Sequence, residues 1–351
     1  MQLSEFNFPF DASLIATHPV LPRDQARLLV LNRGDCSISH HLIADLPELL
    51  AANDLLVVND TRVRPARVNG RAPSGRSVDV LFVERIVDRD WEVLVKGKWR
   101  EGQVIDVAPG ARLTVRGRSG GRTVVRIEGT VPVNEWFQTY GCMPLPPYIK
   151  RQPNRQDCEW YQTVFAKEEG AIAAPTAGLH FTPALLTRLA MRRVEVAKVT
   201  LHVGVGTFQP VTVEHIEEHR MEPEYVEVPE RTVQAIEETR RRKGKVVAVG
   251  TTVVRALESA ASGPGIVRPY QGETSLFMTP GHRFQIVEAM VTNFHLPQTT
   301  LLMLASAFAG TELLRRAYEE AVRMRYRFYS YGDAMLITGG TAPASARAVP
   351  A

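Results

Sequence analysis

The sequence predicts a discontinuous α/β main domain into which a small antiparallel β-barrel is inserted. Between Val78 and Glu128, short alternating or β-rich segments follow one another, separated by glycines and without a helical period. On both sides of this stretch, strand-like and helix-like segments alternate, as in α/β proteins. A chain of 351 residues also exceeds what one hydrophobic core usually supports. We therefore assign residues 1–70 and 145–338 to the main domain and residues 71–144 to the barrel.

Helix boundaries are well marked in the α/β parts. Thr182 followed by Pro183 supplies a side-chain cap and then a proline at the first helical position. A second helix is predicted from Glu230 to Gly244. A third follows a buried strand, and Thr251 or Thr252 is the expected cap.

The C-terminal third contains one strongly apolar segment and one basic, aromatic segment. The run from Thr300 to Gly310 is shorter than the ~20 residues of a membrane helix, so we interpret it as a buried helix. A last helix is expected over 312–324 and a strand over 334–337. The segment 323–335 fits either RNA stacking or the buried stripe of that helix and strand. Residues 339–351 are predicted to be disordered.

Composition and cysteine usage limit the possible functions. With 44% hydrophobic and 23% charged residues, the chain is expected to form a globular core. The net charge of +4 permits a nucleic-acid partner without requiring one. Cys36, Cys142 and Cys158 lie far apart and in no ligand spacing, so neither a disulfide framework nor a metal site is expected. The N-terminus lacks the pattern of a signal peptide, so we expect a cytoplasmic protein without a membrane segment.

Polar residues follow four of the predicted strands. In open α/β sheets, ligands bind outside the carboxyl ends of the strands, so these residues are candidates for a site. In chain order, the four groups are Asn59, Asp60, Thr61 and Arg62; His202, Gly204, Gly206 and Thr207; Gly250, Thr251, Thr252 and Arg255; and Asn293 and His295.

Each group also has a purely structural interpretation. Asp60 and Thr61 could begin a turn. The pair Gly204 and Gly206 lacks the spacing of a dinucleotide fingerprint and the lysine of a P-loop. A helix start such as the one at Thr251 can bind anions but is more often only a cap. Most histidines in proteins are structural, although the loop position of His180 before a helix also suits a functional role.

Seven stretches of this chain form an ordered set of motifs. They are NDTRVRPARVNG from Asn59, PLPPYIKR from Pro144, YQTVFAKEEGAIAAPTAGLHFTPALL from Tyr161, TLHVGVGTFQPV from Thr200, VAVGTTVVRALES from Val247, VTNFHLPQTTLLMLASAFAG from Val291 and YRFYSYGDAMLI from Tyr326. Together they resemble the motifs of the S-adenosylmethionine:tRNA ribosyltransferase-isomerase family of queuosine biosynthesis, and the resemblance runs from about Leu14 to Ile337. One departure lies in HRMEPEYVEV, where Glu222 stands at a position at which we expect histidine in many relatives, leaving His219 and Glu224 as the matching members.

The resemblance implies a metal-free enzyme without a resident cofactor, in which S-adenosylmethionine is consumed as the ribosyl donor. The implied acceptor is 7-aminomethyl-7-deazaguanine at the wobble position of tRNA. The product would be epoxyqueuosine in tRNA, with adenine and methionine released. We expect a monomer.

Site residues follow from this reaction and from the motifs. The base that removes a proton next to the sulfonium is expected among His202, His180 and His295, in that order. Asp60 is a further catalytic candidate, and Asp60 or Asp333 suits recognition of the deazaguanine. Predicted contacts to S-adenosylmethionine come from Arg62, Thr176, Gly178, Gly204, Gly206, Thr207, Thr251, Thr252, Arg255 and Asn293. Predicted contacts to the modified base and the tRNA come from Asp333, Asn59, Tyr148, Lys150, Arg151 and Lys167.

Two functions of other classes stay open at this stage. A noncatalytic RNA-binding module would need only the barrel and the basic C-terminal segment. An S-adenosylmethionine-dependent RNA methyltransferase would use the same small molecule. However, the sequence shows no glycine-rich first strand turn followed by a ribose-binding acid.

Overall fold

A computed structural model describes residues 1–208 and 211–339 of the chain; of Thr207 and Phe208 it describes only the backbone. Most of the predicted disordered tail therefore lies outside the described residues. Within the described part, no helix is long and apolar enough to cross a membrane.

A nine-stranded mixed sheet forms the centre of the main domain, in the order β17-β13-β12-β3-β14-β18-β19-β1-β2. Strands β12, β3, β14 and β18 are neighbours and run parallel, so their carboxyl ends lie at one edge of the sheet. The strands are β1 Arg27–Asn32, β2 Ile38–Leu42, β3 Leu55–Asn59, β12 Glu195–Leu201, β13 Glu224–Val228, β14 Val246–Val249, β17 Tyr270–Thr274, β18 Ala289–Asn293 and β19 Ala334–Thr338.

Helices cover both faces of this sheet. Leu55 and Val57 of β3 pack into the core under α5, α6, α7 and α8, whereas Leu56 and Val58 pack into the core under α1 and α4. A strand buried on both faces reads as a continuous apolar run, which explains LLVV in β3. The helices are α1 Leu46–Leu49, α2 Val133–Tyr140, α3 Asp157–Trp160, α4 Pro183–Met191, α5 Glu230–Arg241, α6 Thr251–Ser259, α7 Thr300–Ala309 and α8 Thr311–Arg323.

The inserted domain is a closed six-stranded antiparallel barrel in the order β10-β7-β6-β5-β8-β9. Trp91 and Phe82 fill its core, and Trp136 and Phe137 of α2 pack against them. The predicted fold class is thus confirmed. The first barrel strand begins at Arg67, a few residues before the predicted start of the insertion; the exact domain boundaries stay a prediction. The barrel strands are β5 Arg67–Arg71, β6 Ser77–Val87, β7 Asp90–Val95, β8 Val104–Ala108, β9 Ala111–Ser119 and β10 Arg122–Ile127.

Two small two-stranded sheets complete the described strands. Strands β4 Thr61–Val63 and β11 Glu168–Ala171 pair in parallel, close to the junction between the two domains. Strands β15 Ala261–Gly263 and β16 Ile266–Val267 form a hairpin that follows α6.

Most helix starts agree with the sequence, and one does not. The Thr182 hydroxyl accepts a bond from the amide of Leu185 at 3.1 Å, so the predicted cap of α4 is confirmed. The predicted cap of α6 is wrong. Gly250 occupies the N-cap position with φ +95°, no side chain caps the helix, and Thr251 is already helical. Glycine is needed there because L side chains rarely adopt this backbone conformation.

The basic, aromatic segment near the C-terminus is largely internal. Tyr326, Phe328 and Tyr331 are almost completely buried and belong to the core. The structural interpretation of this segment therefore holds for most of its rings, although Tyr329 faces the site described next.

Candidate functional site

A cavity of about 300 Å³ lies at the carboxyl edge of β14 and β18. The starts of α6 and α7, the 3₁₀ helix Thr176–His180 and segments around residues 147–148 and 329–330 enclose it. Among the described residues, no lysine, arginine, aspartate or glutamate lines it. Its polar lining consists of Tyr148, Thr176, Thr251, Thr252, Thr292, Asn293, His295, Thr299, Tyr329 and Ser330.

Two helix N-termini meet at this cavity. The Thr299 hydroxyl caps α7 by accepting a bond from the amide of Leu302 at 3.3 Å. Helix α6 has no side-chain cap, and Gly250, Thr251 and Thr252 of its first turn line the cavity. Free amide groups and the helix dipole make such an end favourable for an anion. The cavity is therefore suited to a carboxylate even though no cationic side chain lines it.

Asn293 is fixed at the cavity wall by three hydrogen bonds. Its Oδ1 accepts from the Thr176 hydroxyl at 2.9 Å, and its Nδ2 donates to the carbonyl of Tyr329 and to Nε2 of His180, each at 3.1 Å. Because Nε2 of His180 accepts, this ring carries its proton on Nδ1. Burial lowers the pKa of His180 to about 4, so the ring is neutral near pH 7. His180 lies behind Asn293 and does not line the cavity.

His295 is the histidine that lines the cavity. Its Nε2 lies 2.8 Å from the hydroxyl of Thr292, and its backbone amide donates to the Tyr318 hydroxyl at 2.9 Å. Burial lowers the pKa of His295 to about 3. The imidazole is therefore neutral at any pH at which the protein would normally work.

His202, the first-ranked base candidate from the sequence, lies outside the cavity lining. Its Nδ1 is 2.8 Å from the hydroxyl of Thr61, and its ring stacks on Tyr225 with centroids 5.2 Å apart. A Cβ on Gly170 would come within 2.5 Å of the His202 ring, so only glycine fits beside it. Burial lowers the pKa of His202, and nearby Arg64 adds to this shift.

Asn59 and Asp60 connect the strand ends next to the cavity. The amide of Asn59 bonds to both backbone groups of Leu201 and, at 3.3 Å, to the Thr252 hydroxyl. Asp60 is buried and accepts from the Thr200 hydroxyl at 2.7 Å. Both side chains thus hold β3 against β12, and neither lines the cavity.

Arg255 forms a buried ion pair with Glu224 beneath α6. Their side chains are only 6% and 5% exposed. The guanidinium also donates to the carbonyl of Leu276 at 3.1 Å, and the carboxylate accepts from the amide of Gly204 at 2.8 Å. Arg255, which the sequence suggested as a partner of an anion, therefore forms an ion pair with Glu224 inside the protein and does not line the cavity.

The remaining predicted cofactor contacts lie at other places. Arg62 is half exposed, lies 4.0 Å from Glu169 and lines a second cavity of about 250 Å³ between the two domains. A Cβ on Gly178 would come within 3.0 Å of the Thr163 side chain, so Gly178 is a close-packing position. The side chain of Thr207 lies outside the described residues.

Gly206 lies next to the residue that departs from the family pattern. A Cβ on Gly206 would come within 3.2 Å of the Glu222 carboxylate. Glu222 in turn accepts from Arg122 of β10 at 3.1 Å, so it connects the barrel to the main domain. His219, the other matching member of that segment, packs edge-on against Phe277.

Of the residues predicted to contact the modified base, Tyr148 lines the cavity. Its hydroxyl lies 2.6 Å from Oγ of Ser330, and its ring lies against Tyr329 with centroids 4.0 Å apart. Asp333 is buried and forms ion pairs with Arg27 and Arg327, and it does not line the cavity.

The cationic residues predicted to contact tRNA differ in whether an acidic side chain inside the protein already pairs with them. Arg151 forms a pair with the fully buried carboxylate of Asp157 at 2.6 Å, so it is a structural cation. Lys150 is exposed, and Lys167 is exposed beside Glu168 at 2.6 Å. These predicted contacts, like the rest of the predicted site, stay predictions.

Sequence reasoning did not select four of the polar residues in the lining. Thr292 and Thr299 flank the Asn293–His295 segment, and Tyr329 and Ser330 lie in the last matching motif. Their membership in matching motifs was the available signal. The side-chain directions that bring them to the cavity are set by tertiary contacts.

Within residues 1–208 and 211–339, no three histidine, cysteine, aspartate or glutamate side chains are grouped so that they could hold a metal ion. The independence of the activity from metals stays a prediction.

Together, the sheet, the cavity at its carboxyl edge and the adjoining barrel define a two-domain α/β protein with a small-molecule site. A family model described as "Queuosine biosynthesis protein" matches residues 3–337. The chain belongs to this family of queuosine biosynthesis proteins, as the sequence predicted.

The relatives of this chain include curated proteins and a solved structure. The S-adenosylmethionine:tRNA ribosyltransferase-isomerase of Aquifex aeolicus is 49% identical over 96% of this chain and 100% of its own length. That of Xanthomonas euvesicatoria is 47% identical over 97% of this chain and 98% of its own. The crystal structure of S-adenosylmethionine tRNA ribosyltransferase from Thermotoga maritima is 37% identical, with a TM-score of 0.56. It covers 95% of this chain and 100% of that chain.

Proposed function

We propose that this chain is an S-adenosylmethionine:tRNA ribosyltransferase-isomerase and that the cavity at the carboxyl edge of β14 and β18 holds its S-adenosylmethionine. Family membership and the names of full-length relatives support the activity. The neutral, polar cavity with an uncapped helix start supports the location. Its volume of about 300 Å³ is that of a small-molecule pocket.

The start of α6 is the proposed site of the methionine carboxylate. The amides of Thr251 and Thr252 provide donors there, and the dipole of the nine-residue helix favours negative charge. This assignment replaces the sequence-based proposal for Arg62 and Arg255, because neither lines the cavity. The faces of Tyr148 and Tyr329 offer surfaces against which a planar base or a sulfonium cation can lie.

His295 is the proposed base. The sulfonium acidifies the ribose carbon bonded to it, and among the lining side chains only His295 is a neutral nitrogen base. The C5′ proton moves to the imidazole, and its electron pair forms a C4′–C5′ double bond as the ring C4′–O4′ bond breaks. The ring oxygen becomes the carbonyl of a C1′ aldehyde as the glycosidic bond breaks, and adenine leaves after taking up a proton. Binding of the methionine carboxylate nearby would raise the pKa of His295 from its low value and increase its basicity.

The proposed acceptor is the amine of 7-aminomethyl-7-deazaguanine at the tRNA wobble position. The amine adds to C4′ and loses a proton, and the carbanion that this leaves at C5′ attacks the C1′ aldehyde. The C1′ alkoxide then displaces methionine from C5′, which breaks the carbon–sulfur bond and forms the epoxide. The five sugar carbons close into the epoxycyclopentanediol of epoxyqueuosine. The target base has to leave its stack to reach the cavity.

The cellular setting forms part of the same proposal. The enzyme works as a monomer in the cytoplasm, where its tRNA substrate is present, and it uses no metal and no resident cofactor. The two alternatives from the sequence, a noncatalytic RNA-binding module and a methyltransferase, receive no support from the relatives.

Product analysis tests this function. Incubation of the protein with S-adenosylmethionine and tRNA carrying the aminomethyl precursor should release adenine and methionine in equal amounts, each matched by one modified base. Chromatography of the small molecules and mass spectrometry of the digested tRNA measure all three. Formation of S-adenosylhomocysteine would instead identify a methyltransferase, and recovery of intact cofactor would identify a binding module.

A further inference from the structure

A cleft of about 780 Å³ lies between the barrel and the main domain, and it continues directly from the cavity. Pro147 lines both spaces. Two further chain segments extend from the cavity to the cleft. In the first, Ala174 lines the cavity and Ile172 the cleft; in the second, Val203 lines the cavity and Val205 the cleft. A substrate whose reacting group sits in the cavity therefore has its neighbouring parts in this cleft.

The cleft combines an apolar wall with a cationic rim. Leu81 and Leu94 of the barrel face the crossing segment 144–147, and Leu94 is 38% exposed. Arg76 and Lys96 line the same cleft. A groove lined by cations can follow the phosphate backbone of single-stranded nucleic acid.

Lys96 begins a basic loop, 96–100, that connects β7 to β8. Its sequence KGKWR carries three cations around a tryptophan, before Glu101. Lys96, Lys98 and Arg100 are exposed, as is Arg76 on the neighbouring β5–β6 turn. Among the described residues, none of these four cations forms an ion pair, whereas most exposed arginines on the helices do.

The conformation of the basic loop is fixed by local contacts. Gly97 has φ +110°, and a Cβ there would come within 3.1 Å of the Arg76 guanidinium. The half-buried Trp99 donates from its indole to the carbonyl of Lys96 at 3.3 Å. The Arg76 guanidinium therefore lies beside the basic loop, and Arg76 and Lys96 line the cleft.

We propose that the cleft and the basic loop 96–100, with Arg76, bind the single-stranded nucleotides that flank the modified base in the tRNA. This proposal rests on the proposed function, because the wobble base has to occupy the adjoining cavity. The barrel then acts as the part of the enzyme that holds the anticodon loop, and the main domain carries out the chemistry. Continuity with the cavity and charge complementarity favour RNA over a protein partner.

A pair of double variants with the same change in charge tests this surface. Lys96→Ala/Lys98→Ala removes two cations from the rim. Arg116→Ala/Arg118→Ala removes two exposed cations from β9, neither of which lines the cleft. Both variants should fold and bind S-adenosylmethionine as the unaltered protein does, because none of the four side chains lines the cavity.

The measurement is the affinity for an anticodon stem–loop RNA with the precursor base, titrated at several salt concentrations. Lys96→Ala/Lys98→Ala should weaken binding roughly 10- to 30-fold near 0.1 M salt and reduce the slope of log affinity against log salt by about 1.4, since each lost single-strand phosphate contact contributes about 0.7. The β9 variant should change affinity less than about threefold. Transfer at saturating tRNA should keep its kcat in the β9 variant.

Equal affinities and slopes for both variants and the unaltered protein would overturn the proposal, and so would equal losses in the two variants, which would reflect net charge alone. Either outcome leaves the proposed function intact if the unaltered protein transfers the ribosyl group. Failure of that transfer, with RNA binding still sensitive to the basic loop, would instead overturn the proposed function and keep the surface.

Discussion

Replacing His295 by glutamine should lower kcat for ribosyl transfer by roughly 10²- to 10⁴-fold, the usual contribution of a positioned base. Glutamine keeps a polar group next to Thr292 but cannot take up the proton. Affinity for S-adenosylmethionine should change little, because the proposed carboxylate site is at the start of α6. Single-turnover rates and equilibrium binding separate these two effects.

The pH dependence follows from the direction of the pKa shift. Burial lowers the pKa of His295 to about 3, so the base form predominates at every pH above about 4. An unperturbed histidine base would cause the rate to fall as the pH drops below ~6.5. We therefore expect no such fall in kcat/KM between pH 5 and 8 from this residue, because kcat/KM reports the free enzyme.

His202→Gln is the matched control, since it changes another partly buried histidine that does not line the cavity. Its kcat should stay within a few-fold of that of the unaltered protein. If His202→Gln abolished transfer while His295→Gln did not, the order predicted from the sequence would be right and the placement of the reaction in the cavity would be wrong.

Replacing Arg255 by alanine should destabilise the fold by about 3–5 kcal/mol, because it leaves a buried carboxylate without its cation. The measurement is the free energy of unfolding from denaturant titration. Adding Glu224→Gln to this variant should recover part of the loss, since glutamine removes the buried charge and can still accept from the amide of Gly204.

A contrary outcome for Arg255→Ala would be a normal unfolding curve together with a large rise in KM for S-adenosylmethionine. That result would mean that Arg255 binds the cofactor carboxylate, as the sequence suggested. It would also mean that its pairing with Glu224 gives way when the cofactor binds.

The sequence predicted the edge of the sheet at which the cavity lies but not which side chains face it. His202 and Val203 are neighbours just beyond the end of β12, and only Val203 lines the cavity. A polar residue at a strand end is visible in the sequence, whereas the face to which it points depends on the register of the sheet.

Ion pairs between residues that are far apart in the chain explain why several charged residues predicted to contact ligands do not line the cavity. The partner of Arg255 lies 31 residues earlier in the chain. Arg151 forms an ion pair with the buried Asp157, and Asp333 forms ion pairs with Arg27 and Arg327. No local pattern in the sequence reveals such partners. The sequence therefore could not show that these charged residues of the matching motifs form ion pairs inside the protein. The helices and the barrel depend on local periodicity and were predictable for that reason.

The fate of the ribose tests the central claim most directly. S-adenosylmethionine labelled with ¹³C in all five ribose carbons, and in a parallel reaction labelled in the methyl group, is incubated with the protein and precursor tRNA. Mass spectrometry of the digested tRNA should find all five ribose carbons in the modified nucleoside and the methyl label only in released methionine. Methyl label in the tRNA, or ribose label confined to S-adenosylhomocysteine or intact cofactor, would contradict ribosyl transfer by this chain.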